Sequence, residues 1–335
     1  MTNRKTAIDL FSGCGGLSWG LKKAGFDLVG AVELDTLAAK TYQLNFPNAA
    51  VLQEDITTIS PQEFRKQLGL KKGELSLLAG CPPCQGFSTL RTHHRSSSVA
   101  KEPMNDLIFR VLDFVREFEP KAVMIENVPG LSKDDRIQKF KSELDRLGYQ
   151  CDFEVHNAKD YGTPQKRKRM IFIGLKGQAP VFAKANKKQK SVKDAISDMP
   201  APEQSDDPMH NYGVKRCDRI EKLISLIPKD GGSRSALPDD MQLECHKRQK
   251  GFNDIYGRMA WDEPSPTITC GCTNPSKGRF LHPEQSRAIT AREAALLQGF
   301  PRGFKFDMSK GQYAVAKLIG NAFPPPFAQR RGRGG

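Results

Sequence analysis

The sequence predicts an α/β protein with a doubly wound, mostly parallel sheet, followed by a smaller domain rich in loops. Over the first 175 residues, short apolar runs alternate with segments of helical periodicity. This pattern is typical of parallel strands that are buried on both faces. From about residue 180 it gives way to charged sequence rich in Pro and Gly, with weak periodicity. A chain of 335 residues is long enough to form two such domains.

The apolar runs predict five strands, with helices between them. The strands are residues 7–11, 28–32, 75–79, 122–125 and 170–174. Apolar residues at helical spacing predict helices near residues 17–24, 107–118 and 137–147. Because ligands of such sheets bind outside the carboxyl ends of the strands, the residues after each run are the site candidates.

Composition and charge narrow the class of protein. The hydrophobic fraction is 38% and the charged fraction 27%, and there is neither a signal segment nor an apolar run of 18 residues, so we expect a soluble intracellular protein. The eight cysteines form no close-spaced framework, and we expect them to be reduced. A net charge of +14 favours a polyanionic partner such as nucleic acid.

The first strand ends in DLFSGCGGLSWG, residues 9–20. Gly13, Gly15 and Gly16 lie between a strand and a helix, where backbone N–H groups and a helix N-terminus approach ligands. Ser18 replaces the third glycine of the dinucleotide fingerprint, which argues against a dinucleotide. A tight turn without a ligand is the alternative interpretation.

Acidic residues follow the next two elements, Glu33 in VELD and Asp55 in QEDI. Glu33 has the position of carboxylates that bind ribose hydroxyls in such folds. Together the two acids favour a nucleoside cofactor that is not a dinucleotide. The alternative is a pair of solvated loop residues.

Two cysteines enclose two prolines in GCPPCQGFS, residues 80–88. Prolines followed by glycine do not suit the helix that a redox CxxC opens. The remaining candidates for a zinc site, Cys270 with Cys272 and Cys245 with His246, lack the required spacing. The pattern therefore favours a nucleophile, with Cys84 at the carboxyl edge of the sheet.

Two further patterns complete the candidate site. The strand predicted at residues 122–125 is followed by Glu126, a carboxylate that is placed to act as an acid. In QKRKR, residues 165–169, the side chains of Gln165, Arg167 and Arg169 alternate and are expected on one face. An ordinary basic strand edge is the alternative.

These motifs, in this order, resemble those of cytosine-5 DNA methyltransferases of the bacterial and phage type. The resemblance rests on DLFSGCGGL (9–17), VELD (32–35), EDI (54–56), GCPPCQGFS (80–88), ENVPG (126–130), QKRKR (165–169), EPSPTIT (263–269) and LIGNAFPPP (318–326). It implies a Rossmann-like, S-adenosylmethionine-dependent methyltransferase domain with a smaller target-recognition domain. The implied boundaries are 1–188 for the catalytic domain, 189–288 for target recognition, and 289–335 for a hinge and return.

The resemblance also implies a reaction, the transfer of a methyl group from S-adenosyl-L-methionine to carbon 5 of a flipped cytosine in a specific double-stranded DNA sequence. Cys84 would add to carbon 6 and Glu126 would contact ring nitrogen 3. Arg169, with Arg167, would hold the ring oxygen, and the Pro82 carbonyl would contact the amino group.

The remaining site residues follow from the same resemblance. The implied cofactor contacts are Asp9, Phe11, Gly13, Gly15, Gly16, Leu17, Glu33, Leu34, Asp55, Ile56, Leu107, Asn321 and Ala322. The implied DNA contacts are Ser88 and Arg91 in a lid at residues 88–104, then Gln165, Gly231, Gly232, Ser233, Arg234 and Arg258. No metal is expected.

Two features depart from the family pattern. Leu34 stands where many relatives carry an aromatic residue against the adenine. After GNAFPPP only FAQRRGRGG follows, where the family usually has a helix that packs on the cofactor domain. Since this end is a poor helix former, we expect a truncated or altered end and a modest loss of stability.

The resemblance implies a monomer in the cytoplasm of a bacterium, associated with the nucleoid through DNA. It implies either a solitary methylase or one paired with a restriction endonuclease encoded nearby, without a physical complex or a membrane. An RNA cytosine-5 methyltransferase of the same fold, and a catalytically weak DNA-binding relative, are the alternatives.

Overall fold

The computed structural model describes residues 4–83, 107–186, 188–212, 214, 216–238, 240–242 and 254–332. Contacts divide the chain into two compact units. Unit 1 comprises Met1–Tyr161, Lys168–Ala185 and Phe323–Gly335, and unit 2 comprises Gly162–Arg167 and Asn186–Ala322. Residues 289–322, which the sequence groups with the return to the catalytic domain, thus cluster with unit 2.

Unit 1 contains a seven-stranded sheet among its described residues, in the order β3-β2-β1-β4-β5-β7-β6. The strands are β1 Thr6–Leu10, β2 Asp27–Val32, β3 Ala50–Leu52, β4 Leu77–Gly80, β5 Ala122–Asn127, β6 Tyr149–Asn157 and β7 Lys168–Lys176. Strands β1 to β5 pair in parallel, and β7 is antiparallel to both β5 and β6. The predicted mostly parallel α/β fold is confirmed, and each of the five predicted strands overlaps an observed one.

Two strands lie outside the five predicted apolar runs: β3, where the sequence indicated an element that ends at Asp55, and β6, which was not predicted. Strand β3 has only three residues, too few for a periodic signal. Strand β6 is an edge strand whose sequence, YQCDFEVHN, intersperses charged and exposed residues with buried ones. Edge strands do not need the continuous apolar run that marks a parallel strand buried on both faces.

Helices cover both faces of this sheet. They are α1 Gly16–Lys23, α2 Thr36–Asn45, α3 Pro61–Gln67, α4 Leu107–Phe118 and α5 Asp135–Arg146. Alternation along β1 places Ile8 and Leu10 in one apolar cluster with residues of α4 and α5, and Ala7 in another with residues of α1 and α2. This two-sided core is that of a doubly wound sheet.

The end of the chain forms a helix, α10 Pro325–Gly332, which packs against α1. Phe327 is fully buried, and its ring lies 5.0 Å from that of Tyr161. A Cβ on Gly20 would come within 2.4 Å of the Ala328 Cβ, so α1 needs glycine for this contact. The expectation of a poorly helical end was wrong, because proline is tolerated in the first turn of a helix and packing outweighs weak propensity.

Unit 2 is rich in loops, as the sequence predicts for its second domain. Its described helices are α6 Val192–Ile196, α7 Asp218–Leu226, α8 Ala291–Gln298 and α9 Gly311–Asn321. Elsewhere in its described residues, β pairing is limited to isolated bridges such as Arg258 with Leu281. A small apolar cluster includes Leu223, Ile227 and Tyr256. In the described part of the chain, no helix is both long and apolar enough to cross a membrane.

Candidate active site at the carboxyl end of the sheet

The segment after β1, residues 11–17, is the glycine loop. Gly13 and Gly15 have φ values of 54° and 93°, and Phe11 has 58°, a conformation that is unusual for a residue with a side chain. A Cβ on Gly15 would lie 2.6 Å from Cε2 of Phe46. Gly15 is therefore required both by its backbone conformation and by close packing, and helix α1 starts directly after it.

Glu33, after β2, is bonded to this loop. Its Oε2 accepts a hydrogen bond of 2.7 Å from the Gly13 N–H, and its Oε1 accepts one of 2.8 Å from the Asp35 N–H. Burial raises the pKa of this carboxyl despite these bonds. Beside it, Leu34 is 65% exposed. Glu33 and Leu34, which are expected beside the ribose and the adenine, thus lie next to the glycine loop.

Asp55 and Ile56 follow β3 and join α4 through a hydrogen bond. The Ile56 carbonyl accepts a hydrogen bond of 2.9 Å from Arg110 Nε. Leu107 begins α4 and packs on the core. Asp55 Oδ1 accepts from the backbone N–H and the hydroxyl of Thr57, which lowers the pKa of the carboxyl.

Asp9, the residue before the end of β1, is completely buried. Its Oδ2 accepts a hydrogen bond of 2.7 Å from the Ser18 hydroxyl, whereas its Oδ1 has no hydrogen-bond partner among the described residues. Burial raises the pKa of this carboxyl to about 7. The hydroxyl of Ser12, in the glycine loop, is likewise buried and without a described partner. Such atoms are rare in folded proteins.

Glu126 and Arg169 form an ion pair at the end of β5. Arg169 Nε lies 2.7 Å from Glu126 Oε1, and both side chains are largely buried. Glu126 ends an apolar strand, and Arg169 lies on the neighbouring antiparallel strand β7. The structure therefore brings together two of the predicted catalytic residues.

The next residue, Asn127, holds the turn after β4. Its Nδ2 donates a hydrogen bond of 3.0 Å to the Pro82 carbonyl, and its Oδ1 accepts one of 2.8 Å from the Val128 N–H. Sequence reasoning assigned no role to Asn127, although its position beside Glu126 at a strand end was a signal. Through this bond the proline turn is tied to the end of β5.

Cys81 begins that proline turn. Burial, together with the carboxylates of Glu126 and Asp9, raises the pKa of its thiol well above the ordinary value. A thiol held in the protonated form is a poor nucleophile, which agrees with a packing role. Cys84, Ser88 and Arg91 lie outside the described residues.

Gln165 and Arg167 lie on one face, as the alternation predicts, and this face is buried. Both lie in unit 2 and are buried. Arg167 donates to the carbonyls of Ile268 (3.0 Å) and Gly320 (2.9 Å). Gln165 accepts 3.0 Å from the Ile268 N–H and donates to Gln298. Their polar groups hold other segments of unit 2, so Gln165 is not presented to DNA, and these bonds give Arg167 a structural role.

Arg258, a predicted DNA contact, is 1% exposed. Its guanidinium donates to the carbonyls of Ile227 and Ile224 at 3.0 Å and of His282 at 2.9 Å. The prediction of DNA contact by this side chain is corrected to a structural role, because a buried guanidinium whose donors are used within unit 2 cannot reach a base.

The predicted recognition loop includes Gly231, Gly232, Ser233 and Arg234, all partly exposed. A Cβ on Gly232 would lie 2.0 Å from the Pro228 carbonyl oxygen. The need for glycine here thus comes from internal packing, whereas the sequence suggested close approach to bases. Arg279 donates to the carbonyls of Gly231 (2.9 Å) and Gly232 (3.1 Å), a role that the sequence did not reveal.

Asn321 and Ala322 end α9 in unit 2. Asn321 Oδ1 accepts a hydrogen bond of 3.1 Å from the Cys270 thiol, and the Ala322 carbonyl accepts one from the Gln298 side chain. Their cofactor contact stays a prediction.

A family model for C-5 cytosine-specific DNA methylases matches residues 5–333. The chain belongs to this family. The match spans both units, the glycine loop and the Glu126–Arg169 pair. The protein is therefore a DNA cytosine-5 methyltransferase.

Individual relatives agree with this assignment. The chain is 32% identical to the Type II methylase M.HgiDII of Herpetosiphon aurantiacus over 95% of its own length and 91% of the relative's. It is 33% identical to the Type II methyltransferase M1.HphI of Haemophilus parahaemolyticus, over 97% and 84% of the two chains.

Solved structures show the same fold. A DNA modification methyltransferase encoded within an E. coli prophage has a TM-score of 0.71 and 28% identity, over 98% of both chains. The DNMT2 of Spodoptera frugiperda, at 15% identity, has a TM-score of 0.63 over 97% of both chains. The latter likeness concerns the fold alone.

Proposed function

We propose that this methyltransferase acts on carbon 5 of a cytosine flipped out of double-stranded DNA, with S-adenosyl-L-methionine as methyl donor and Cys84 as nucleophile. The observation that carries the proposal is the Glu126–Arg169 ion pair of 2.7 Å at the end of an apolar strand. An acid and a cation held together at the carboxyl edge of a parallel sheet suit the recognition of a polar ring.

The cofactor is placed at the glycine loop. Glu33, Leu34, Asp55 and Ile56 supply the adenosine side, and the backbone of residues 11–17 supplies the methionine side. The two buried polar atoms without described partners, Asp9 Oδ1 and Ser12 Oγ, support a polar ligand here. When bound, S-adenosyl-L-methionine supplies an electrophilic methyl group.

Cys84 supplies the electrons that carbon 5 lacks. Its thiolate adds to carbon 6 and makes carbon 5 nucleophilic; once the methyl group is on carbon 5, that carbon loses its proton and the thiolate leaves. The high thiol pKa of Cys81 supports Cys84 as the reactive member of the pair.

Glu126 acts on the ring as the thiolate adds. It donates a hydrogen bond or its proton to ring nitrogen 3, where negative charge develops, and Arg169 holds Glu126 in place and offsets charge on the ring oxygen. The Pro82 carbonyl, whose position is set by Asn127, contacts the exocyclic amino group. These contacts require the base to leave the stack, at a cost of a few kcal/mol.

The biological setting is proposed from the relatives. Several curated relatives are named Type II methyltransferases, which supports a restriction-modification role with a nuclease encoded nearby. DNA is the macromolecular partner, and the net charge of +14 supports its attraction to the phosphate backbone.

The first test measures transfer of labelled methyl to unmethylated plasmid DNA, with Cys84→Ser and the exposed cysteine variant Cys217→Ser side by side. We expect label at carbon 5 within one short repeated sequence for wild type and Cys217→Ser, and none for Cys84→Ser. Label in the Cys84→Ser product would exclude this nucleophile, and label only with RNA would exclude DNA as substrate.

The second test replaces Glu126 with glutamine, an isostere that carries no charge and has no acidic proton to transfer. We expect the rate of methyl transfer to fall by roughly 100-fold or more, with cofactor affinity unchanged. Glu117→Gln, in an ion pair with Arg65 away from the site, is the control and should keep full activity.

A further inference from the structure

Three buried side chains lie beneath the glycine loop in an unbroken hydrogen-bond chain. Asp9 is in β1, Ser18 in α1 and Tyr42 in α2, and none of the three is exposed to solvent. The Ser18 hydroxyl lies 2.7 Å from Asp9 Oδ2 and 2.8 Å from the Tyr42 hydroxyl. Ser18 is the residue that replaces the third glycine of the dinucleotide fingerprint.

The direction of these bonds follows from the number of protons. Ser18 has a single hydroxyl proton. When Asp9 is ionised, Ser18 donates this proton to the Asp9 carboxylate, and the Tyr42 hydroxyl then donates to the Ser18 oxygen. Burial raises the pKa of Tyr42 well above its ordinary value, which keeps this phenol a donor. The chain runs from Tyr42 through Ser18 to the Asp9 carboxyl.

The ring of Tyr42 packs close to the glycine loop at Gly15. A Cβ on Gly15 would lie 3.1 Å from Cδ2 of Tyr42, and the Tyr42 and Phe46 rings are 4.5 Å apart. The other end of the loop is bonded to Glu33 through the Gly13 N–H. The ring of Tyr42 and the carboxylate of Glu33 thus support the backbone on two sides.

A polar chain is not needed to fill this space. Replacing both partners of a buried hydrogen bond by apolar groups of similar shape is often nearly neutral for stability. A satisfied buried network instead restricts side chains to one arrangement, which suits a site whose backbone must be placed accurately.

We propose that Ser18 and Tyr42 are positioning residues for the cofactor, acting through the Asp9–Ser18–Tyr42 chain on the backbone of residues 11–17. This inference rests on the proposed cofactor site and adds the residues that hold it in shape. Neither side chain touches the reacting atoms; each fixes the glycine loop, residues 11–17, at which the methionine portion is proposed to bind.

The test compares Tyr42→Phe with Tyr149→Phe in the full-length protein. Tyr149 is a buried tyrosine of the same unit, and its hydroxyl donates a hydrogen bond of 2.6 Å to the Pro120 carbonyl. Calorimetry with S-adenosyl-L-homocysteine gives the Kd, thermal unfolding gives stability, and methyl transfer gives KM and kcat. We expect Tyr42→Phe to raise the Kd and the KM for the methyl donor about 5-fold, the value of one lost hydrogen bond. At saturating donor, kcat should stay within about twofold of wild type.

Tyr149→Phe should change the unfolding temperature to a similar degree and leave the Kd unchanged. If both variants lose stability and neither changes the Kd, the chain only supports the fold and the inference is overturned. Ser18→Ala gives a second, independent reading should Tyr42→Phe not fold. Wild-type protein that does not bind S-adenosyl-L-homocysteine would overturn both the inference and the cofactor site. Binding without methyl transfer would count against the proposed reaction alone.

Discussion

The two units satisfy their buried backbone in different ways. In unit 1 the sheet pairs backbone donors and acceptors, and buried polar side chains such as Asp9, Glu126 and Asn127 occur at strand ends. In unit 2 regular structure is sparse, and buried side chains donate to backbone carbonyls in its place: Arg167, Arg258 and Gln165 do so. A buried polar residue therefore indicates a site in unit 1 and a scaffold in unit 2.

Arginine illustrates the contrast most clearly. Arg169 lies on β7 and pairs with a carboxylate at the site, whereas Arg258 is enclosed by carbonyls. Both residues are equally basic in the sequence. Net charge indicates a polyanionic partner for the molecule, but the tertiary environment decides which cations are free to meet it.

The largest effect is expected from Arg258→Met in unit 2. Three carbonyls or more lose their donor, and we expect the free energy of unfolding to fall by about 3–5 kcal/mol, as for a broken buried charge network. Denaturant unfolding measures this. Arg146→Met, at an exposed ion pair with Glu143, is the control. Equal stability of the two variants would remove the distinction between the units.

The second-largest effect is expected where the apolar side chain of Phe327 packs helix α10 onto unit 1. Phe327→Ala removes a fully buried ring that stacks on Tyr161 and Phe323, and we expect a loss of about 3 kcal/mol. Tyr313→Ala, at a residue that is 59% exposed, should be close to neutral. A small loss for Phe327→Ala would mean that α10 contributes little to the fold.

A pH-dependent effect follows from Asp9. Its carboxyl keeps its proton up to about pH 7 when folded, against an ordinary pKa of 3.8. Between these values the folded state binds a proton that the unfolded chain does not, so this group makes the protein less stable as the pH rises.

Asp9→Asn removes that dependence while retaining an acceptor for Ser18. We expect its unfolding temperature, relative to wild type, to increase from pH 5 to pH 8 by a few degrees, since each kcal/mol is worth about 2–4 °C in a domain of this size. Asp262→Asn, at an exposed residue, is the control. A difference that does not change with pH would show that Asp9 titrates normally.

The smallest effect concerns the exposed face of the cofactor site. Leu34→Trp supplies an aromatic surface beside Glu33, and we expect S-adenosyl-L-homocysteine to bind a few-fold more tightly, by about 1 kcal/mol. Leu44→Trp, at a leucine of α2 that is 50% exposed, should leave the Kd unchanged. Equal affinities would place the adenine away from Leu34.

The sequence by itself determined the α/β class and the family, and it predicted candidate site residues at strand ends. This was feasible because buried parallel strands are continuous apolar runs, and because glycines and acids at their ends follow directly in the chain. The partnership of Glu126 and Arg169 was predictable in kind, since both end or begin strands of one sheet.

Only the tertiary structure decided what the side chains distant in sequence contact. Gln165 and Arg258 have the polarity of DNA-binding residues, yet each is buried and hydrogen-bonded to groups from segments distant in the chain. The weak helical propensity of the last residues is outweighed by Phe327 and its aromatic neighbours. Propensity and charge are local properties, whereas burial and hydrogen-bond satisfaction depend on segments that meet only in the folded protein.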